Sequence, residues 1–375
     1  MSKIGIVVSG GPAPGINSVI SSCVIAAFNL GYGTVGLTEG FRGVTLRGAD
    51  AIQDLTINDV SRIYKLGGSI IGTSRYNPFA TPESTKKFRD ALSTADVDKL
   101  IVIGGEGSAY LSLQIIKKFP EISVVHVPKT IDNDLDLPND YPSFGFETAR
   151  SVGTKIVDTL CVDAKTTQRW FLVTSMGRKA GFLALGLGLS SRATVTLIPE
   201  EFEAGKATPE DVTEILFNSI KKRSEIGKNF GVAVMAEGLI DMLDPESHPL
   251  LKECPRDDLG RIKHAELELG DILKPILKKR CKEAGIETTF YNKNLGYELR
   301  CADPISFDIE YTTFLGLGAV SHLHDGQRGV MVIRDHDKIG SIPLSEMERP
   351  DGRIRSRKVN LDSDVYRVAR MYMIR

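Results

Sequence analysis

Apolar residues occur in short continuous runs along the chain, and most of these runs end in a glycine-rich turn. The segment 3–8 (KIGIVV) leads into SGGPAPGIN, and the segment 99–104 (KLIVIG) leads into GEGS. A helix-periodic stretch follows each of these turns. Continuous β-branched runs followed by helices are typical of parallel strands that are buried on both faces. The pattern therefore predicts a parallel sheet covered by helices on both sides.

The same alternation of apolar runs and helix-periodic stretches recurs further along the chain, which indicates more than one sheet. Strand-like runs lie at 122–128, 169–177, 195–200, 230–238 and 329–334, and the region 250–298 is charged and reads as helical. A chain of 375 residues is long for a single hydrophobic core. We therefore predict an α/β protein made of two doubly wound, Rossmann-like domains with mostly parallel sheets and an active site in the cleft between them.

The predicted domains are discontinuous in sequence. The first would span residues 1–143, with about 300–347 returning to it. The second would span 144–299, with the C-terminal tail at about 348–375.

Composition and charge exclude several classes of protein. The net charge is −1, so no overall positive field favours nucleic acid or an anionic membrane. No apolar run approaches the ~20 residues of a membrane span. The five cysteines are scattered and form no CxxC pair, which fits a reducing cytoplasm and argues against a zinc site.

The glycine-rich turns are the first candidates for a binding site. A turn without Cβ atoms lets backbone N–H groups approach phosphate oxygens, and the helix that follows adds partial positive charge. Neither SGGPAPG nor GGEGS matches the dinucleotide fingerprint GxGxxG or the Walker A lysine motif. The turns therefore predict a phosphate site of another kind.

A third turn adds two acidic residues and a lysine. PKTIDND (128–134) places Asp132 and Asp134 two residues apart, beside Lys129. Two acids at a strand end suit a general base or a metal ion, and a lysine suits polyphosphate. Arg169, Arg178 and Arg300 each lie at a strand or turn end, where guanidinium groups could hold a phosphorylated substrate.

As an ordered set, these motifs resemble the phosphofructokinases. The resemblance covers roughly residues 4–320 and looks closest to the branch with many pyrophosphate-dependent members. It rests on SGGPAPGIN, GTSR, GGEGS, PKTIDND, FGFETA, SMGRKAG, PE and GYELR. It implies Mg²⁺ and transfer of a phosphoryl group to the 1-hydroxyl of fructose 6-phosphate in glycolysis. It also implies that the first domain binds the phosphoryl donor and the second the sugar phosphate, in a cytoplasmic homodimer or homotetramer.

The resemblance also assigns roles to individual residues. Asp132 would be the catalytic base, with Lys129 and Gly107 beside the moving phosphoryl group. Mg²⁺ would be held by Glu106, with Asp134 as a weaker ligand. The donor site would comprise Gly10, Arg75, Tyr76, Gly105, Glu106, Gly107 and Ser108. The sugar site would comprise Thr130, Ile131, Asp132, Arg169, Met176, Gly177, Arg178, Glu200, Tyr297 and Arg300, with Arg169 arriving from another subunit.

Two positions in this chain bear on the phosphoryl donor. Pyrophosphate-dependent relatives usually carry an Asp where this chain has Gly107, and that carboxylate would occupy the place of the ATP α-phosphate. Lys129 indicates the opposite, because pyrophosphate users have this lysine and many bacterial ATP enzymes have glycine. Glu106 stands where the family normally has Asp. We expect ATP as the donor, with pyrophosphate as the alternative.

Two other classes share part of the pattern. A turn of two glycines, an acid, glycine and Ser or Thr also occurs in NAD kinases and lipid kinases, but PKTIDND and the arginines argue against them. A non-catalytic sugar-phosphate sensor would explain Glu106. It is disfavoured by the presence of Asp132 and Arg178.

Overall fold

The computed structural model describes residues 3–255 and 267–375. They divide into two compact units, the first formed by Met1–Ala149 with Glu298–Arg357 and the second by Arg150–Tyr297 with Lys358–Arg375. In chain order the strands are β1 (Lys3–Val8), β2 (Gly33–Leu37), β3 (Ile52–Leu55), β4 (Val97–Gly104), β5 (Ser123–Pro128), β6 (Trp170–Ser175), β7 (Val195–Leu197), β8 (Gly231–Ala236), β9 (Phe290–Leu295), β10 (Val330–Asp335) and β11 (Lys338–Pro343).

Helices connect most of these strands, as expected for an α/β fold. They are α1 (Ile16–Asn29), α2 (Gly40–Arg47), α3 (Ile57–Val60), α4 (Pro82–Thr94), α5 (Glu106–Lys118), α6 (Phe146–Thr167), α7 (Phe182–Ser190), α8 (Pro209–Glu225), α9 (Pro249–Glu253), α10 (Leu269–Glu283), α11 (Tyr297–Arg300), α12 (Ser306–His324) and α13 (Asp364–Met371).

The first unit is built on a seven-stranded sheet with the order β11-β10-β5-β4-β1-β2-β3. Its five central strands are parallel, and the edge strands β3 and β11 are antiparallel to their neighbours. Successive side chains of β4 enter different cores: Ile101 packs with α1 and α12, whereas Val102 packs with α2, α4 and α5. The predicted sheet with helices on both faces is confirmed.

The second unit contains a four-stranded, fully parallel sheet with the order β7-β8-β6-β9. Leu172 and Met235 on this sheet pack with apolar residues of α8 and α10, such as Leu216 and Leu273. No helix in the described ranges is long and apolar enough to cross a membrane.

The structure corrects several sequence expectations. The region 250–298 is not wholly helical, because β9 occupies 290–295, and residues 256–266 lie outside the described part of the chain. The strand predicted at 195–200 ends at Leu197. Residues 348–357, which we assigned to the second domain, belong to the first unit, where the N–H of Arg357 donates to the carbonyl of Asp134.

Candidate active site

The carboxyl ends of β1, β4 and β5 lie side by side, and the turns after them line a cavity of about 490 Å³ in the first unit. The turn after β1 is held at Gly10, whose N–H donates to the carbonyl of Ser74 (3.0 Å). The turn after β5 is held at Lys129, whose N–H donates to the carbonyl of Gly104 (2.9 Å). Neighbouring parallel strands thus bring together turns that are far apart in sequence.

Most residues predicted for the donor site, and several predicted for the sugar, line this cavity. They are Gly10, Arg75, Tyr76, Gly105, Glu106, Gly107, Ser108, Lys129, Thr130, Ile131, Asp132, Asp134 and Arg300. The cavity is also lined by residues that were not predicted from the sequence, namely Ser9, Gly11, Pro12, Asn77, Tyr110 and Leu111. Tyr110 could have been found, because it follows Glu106 by four residues and so shares a face of α5.

The three glycines around Glu106 have different structural roles. A Cβ at Gly104 would lie 2.2 Å from the Cβ of Ser108, and one at Gly105 would lie 3.1 Å from the carbonyl oxygen of Lys129. A Cβ at Gly107 would meet no heavy atom within 4 Å. Packing therefore accounts for Gly104 and Gly105, whereas Gly107 leaves open space at the N-terminus of α5.

Lys129 is the buried cation of the cavity, with only 4% of its surface exposed. Its ammonium group donates to the carbonyl of Gly11. Burial, followed by the guanidinium groups of Arg300 and Arg75, lowers the pKa of Lys129 to about 7, although Asp132 and Asp134 act in the opposite direction. Lys129, Arg75 and Arg300 thus place three basic groups in the cavity lining, where they can bind an anionic ligand.

The turn after β5 presents two carboxylates. The N–H of Asp132 donates to Oγ1 of Thr130 (3.0 Å), and Asp134 is largely buried. Asn133, between them, has a left-handed backbone with φ of +57°. The turn is therefore specifically shaped rather than extended, and both acids belong to the cavity lining.

The cavity lining suits Mg²⁺ only when substrate phosphates complete the ligand set. Glu106, Asp132 and Asp134 supply the hard oxygen atoms that Mg²⁺ prefers. Among the described residues, no group of three or more His, Cys, Asp or Glu side chains is placed to hold a metal by itself. One or two carboxylates together with phosphate oxygens form the usual protein site for this ion.

The other residues predicted for the sugar lie in the second unit, and most of them gather where β6 ends. Nε of Arg178 is 3.1 Å from Oδ2 of Asp241. Glu200 accepts hydrogen bonds from the N–H groups of Gly181 (3.0 Å) and Val359 (2.9 Å).

The backbone of the second unit brings the remaining members of this group together. A Cβ at Gly238 would lie within 3 Å of both the Arg178 carbonyl and Pro199, and one at Gly296 would lie 2.5 Å from Met176. Met176, Gly177, Arg178 and Glu200 therefore form one cluster, and Gly296 connects it to the exposed Tyr297.

Arg169 does not join this cluster. It precedes β6, whereas Met176 follows it, and six strand residues separate them by roughly 20 Å. The Arg169 guanidinium stacks 4.6 Å from the ring of Tyr291 instead. Within one chain, Arg169 and Arg178 therefore cannot grip the same phosphate.

Taken together, the cavity's glycine turns, cations and carboxylates define a class of α/β protein whose site suits a phosphorylated ligand. A family model described as Phosphofructokinase matches residues 3–323. The pyrophosphate–fructose 6-phosphate 1-phosphotransferase of Thermotoga maritima is 44% identical over 383 residues, covering 100% of this chain and 90% of the relative. The chain therefore belongs to the phosphofructokinase family.

Other relatives differ in their phosphoryl donor. The ATP-dependent 6-phosphofructokinase of Mycobacterium tuberculosis strain H37Rv is 31% identical over 349 residues, covering 92% of this chain and 94% of the relative. The solved structure of a pyrophosphate-dependent phosphofructokinase from Marinobacter aquaeolei has the same fold, with a TM-score of 0.71 and 18% identity over 100% of this chain and 92% of that one.

Proposed function

We propose that this protein transfers a phosphoryl group from ATP to the 1-hydroxyl of fructose 6-phosphate, giving fructose 1,6-bisphosphate. The proposal rests mainly on one observation: Asp132, Lys129 and the open turn at Gly107 line the same cavity. Family membership supports the acceptor, because pyrophosphate- and ATP-dependent relatives both align along most of the chain.

Asp132 acts as the general base in this proposal. Its carboxylate accepts the proton of the 1-hydroxyl while that oxygen bonds to the terminal phosphorus of the donor, and the bond from that phosphorus to the bridging oxygen breaks. ADP leaves with the bridging oxygen. Lys129 and Arg75, with the N-terminus of α5, stabilise the charge on the phosphoryl oxygens.

Glu106 and Asp134 are the residues that would hold Mg²⁺ together with the donor phosphates. The ion, when bound, supplies neutralisation of phosphate charge. The additional methylene of Glu106 leaves its carboxylate a hard oxygen ligand, and its place at the start of α5 also stabilises the helix dipole.

The choice of ATP rests on the shape of the cavity. Open space at Gly107 leaves room for a phosphate beyond the two that pyrophosphate has. Tyr76, Asn77, Tyr110 and Leu111 extend the lining with groups that a bare diphosphate does not need and that suit a nucleoside.

Pyrophosphate is the second candidate donor. It is favoured by the greater similarity to the Thermotoga maritima enzyme than to the Mycobacterium tuberculosis enzyme, and by the buried Lys129. Catalysis with this donor would use the same base, and orthophosphate would leave in place of ADP.

The cluster around Arg178 and Glu200 would bind the sugar, and Arg300 would bind its 6-phosphate. Because Arg169 lies at the opposite end of β6, we propose that it completes the site of another copy in a cytoplasmic homodimer or homotetramer. Mixing inactive Arg169→Ala chains with inactive Asp132→Asn chains should then restore part of the activity.

The proposed function is tested by assaying the purified protein with fructose 6-phosphate, Mg²⁺ and either ATP or pyrophosphate in parallel. Fructose 1,6-bisphosphate is measured directly by ³¹P NMR. The proposal expects fructose 1,6-bisphosphate with ATP, at a larger kcat/KM than with pyrophosphate. A larger kcat/KM with pyrophosphate would select the second candidate, and the absence of product with both donors would reject the acceptor as well.

A further inference from the structure

The turn that carries Asp132 and Asp134 is held from outside the cavity lining by Arg357. The N–H of Arg357 donates to the carbonyl of Asp134 (2.9 Å), and its Nε donates to the carbonyl of Asn133 (2.9 Å). Its Nη2 donates to Oδ1 of Asn133 (2.6 Å) and to the carbonyl of Tyr141 (2.9 Å). One residue therefore supplies four hydrogen bonds to the segment 133–141.

The backbone conformation of Asn133 determines the shape of this turn. Its φ of +57° is a left-handed conformation that residues other than glycine and asparagine rarely adopt. Besides Arg357, its Oδ1 accepts from the N–H of Ser143 (3.0 Å). Because Asn133 separates Asp132 from Asp134, its backbone angles fix the directions in which both carboxylates leave the chain.

The Arg357 side chain is buried against this turn. Only 10% of it is exposed, and Nη1 lies 3.7 Å from Oδ1 of Asp140. The planar guanidinium can reach both acceptors of Asn133 at once with Nε and Nη2, whereas a lysine has a single nitrogen. The contacts with Asn133 therefore require arginine and not merely a positive charge.

We propose that Arg357 is a positioning residue, which holds the Asp132–Asp134 turn in its reactive shape without lining the cavity. The inference rests on the proposed function. Residue 357 lies beyond residues 3–323, which the family model matches.

Arg357→Ala and Arg357→Lys test the proposal, with Arg355→Ala as the matched control. Arg355 lies two residues earlier in the same segment, is about half exposed, and is 3.7 Å from Asp136. The kcat and the KM of each substrate are measured, with and without millimolar guanidinium chloride. Misplacement of a reacting group by about 1 Å can cost on the order of 10²-fold.

The proposal expects kcat of Arg357→Ala to fall about 10²-fold while both KM values change little, with partial recovery in guanidinium. Arg355→Ala should match the wild type. A folded Arg357→Ala protein with wild-type kcat would overturn the proposal, as would a loss confined to KM. Cooperative unfolding on heating shows whether Arg357→Ala is folded. If it is not, the kcat and KM values of Arg357→Lys are used instead, with the same expected and contradicting results. A wild type without turnover would instead refute the proposed function, and this inference with it.

Discussion

Replacing Gly107 with Asp should place a carboxylate in the donor cavity while leaving the fold intact. A Cβ at this position meets nothing within 4 Å, and Gly107 is not among the glycines with positive φ. The added side chain would therefore point into space that our proposal gives to the α-phosphate of ATP. Pyrophosphate has no such group, so its binding should be spared.

The expected penalty follows from Coulomb's law. Two like charges about 4 Å apart repel by about 4 kcal/mol at an effective dielectric constant of about 20. Each 1.36 kcal/mol is about a tenfold change, so kcat/KM for ATP should fall on the order of 10³-fold. Gly107 is exposed, so the effect should be smaller at high salt, because exposed charges are screened.

The measurement is kcat/KM for ATP and for pyrophosphate in the wild type, Gly107→Asp and Gly107→Asn. The asparagine variant has nearly the same size without the charge and separates repulsion from crowding. Lys129→Gly, measured alongside, should impair the pyrophosphate reaction more than the ATP reaction. Unchanged ATP turnover in Gly107→Asp would show that the nucleotide does not pass this position.

Three further predictions concern neighbouring residues. Because the pKa of Lys129 is lowered to about 7, kcat/KM for the donor should fall as the pH rises above about 7, and Lys129→Met should lose this component; an identical profile in the variant would contradict the assignment. Gly104→Ala should destabilise the protein by about 1–3 kcal/mol in urea unfolding because its Cβ would collide with Ser108, whereas Gly107→Ala should be nearly neutral; equal effects would refute this packing account. Arg300→Ala should raise the KM of fructose 6-phosphate far more than that of the donor, and the reverse result would place Arg300 in the donor site.

The strands with continuous apolar runs were predicted from the sequence, including the edge strand β7, whereas β2, β3, β9 and β11 were not. β4 is buried along most of its length and was found, whereas β9 (FYNKNL) is half polar and was assigned to a helical region. β9 lies at a sheet edge, where one paired neighbour and more solvent allow a composition with little periodic signal. β3 (IQDL) and β11 (KIGSIP) are also edge strands with polar residues, and glycines interrupt the apolar run of β2 (GTVGL).

The residues of the candidate site could likewise be predicted only in part. Turns after parallel strands could be predicted to converge, and the cavity joins Gly10, Glu106 and Asp132. Sequence could not distinguish Gly104, which packing requires, from Gly107, which faces open space. Nor could it connect Arg357 with Asn133, because these residues are 224 positions apart and meet only through the fold.

The most direct test of the account is the kcat of Asp132→Asn with fructose 6-phosphate. Asparagine keeps the size of the side chain but cannot accept the hydroxyl proton, so kcat should fall about 10²–10⁴-fold with little change in the KM of the sugar. Asp136→Asn, four residues along the chain and partly exposed beside Arg355, is the control and should match the wild type. A kcat near the wild-type value in Asp132→Asn would contradict the proposed role of this carboxylate as the general base.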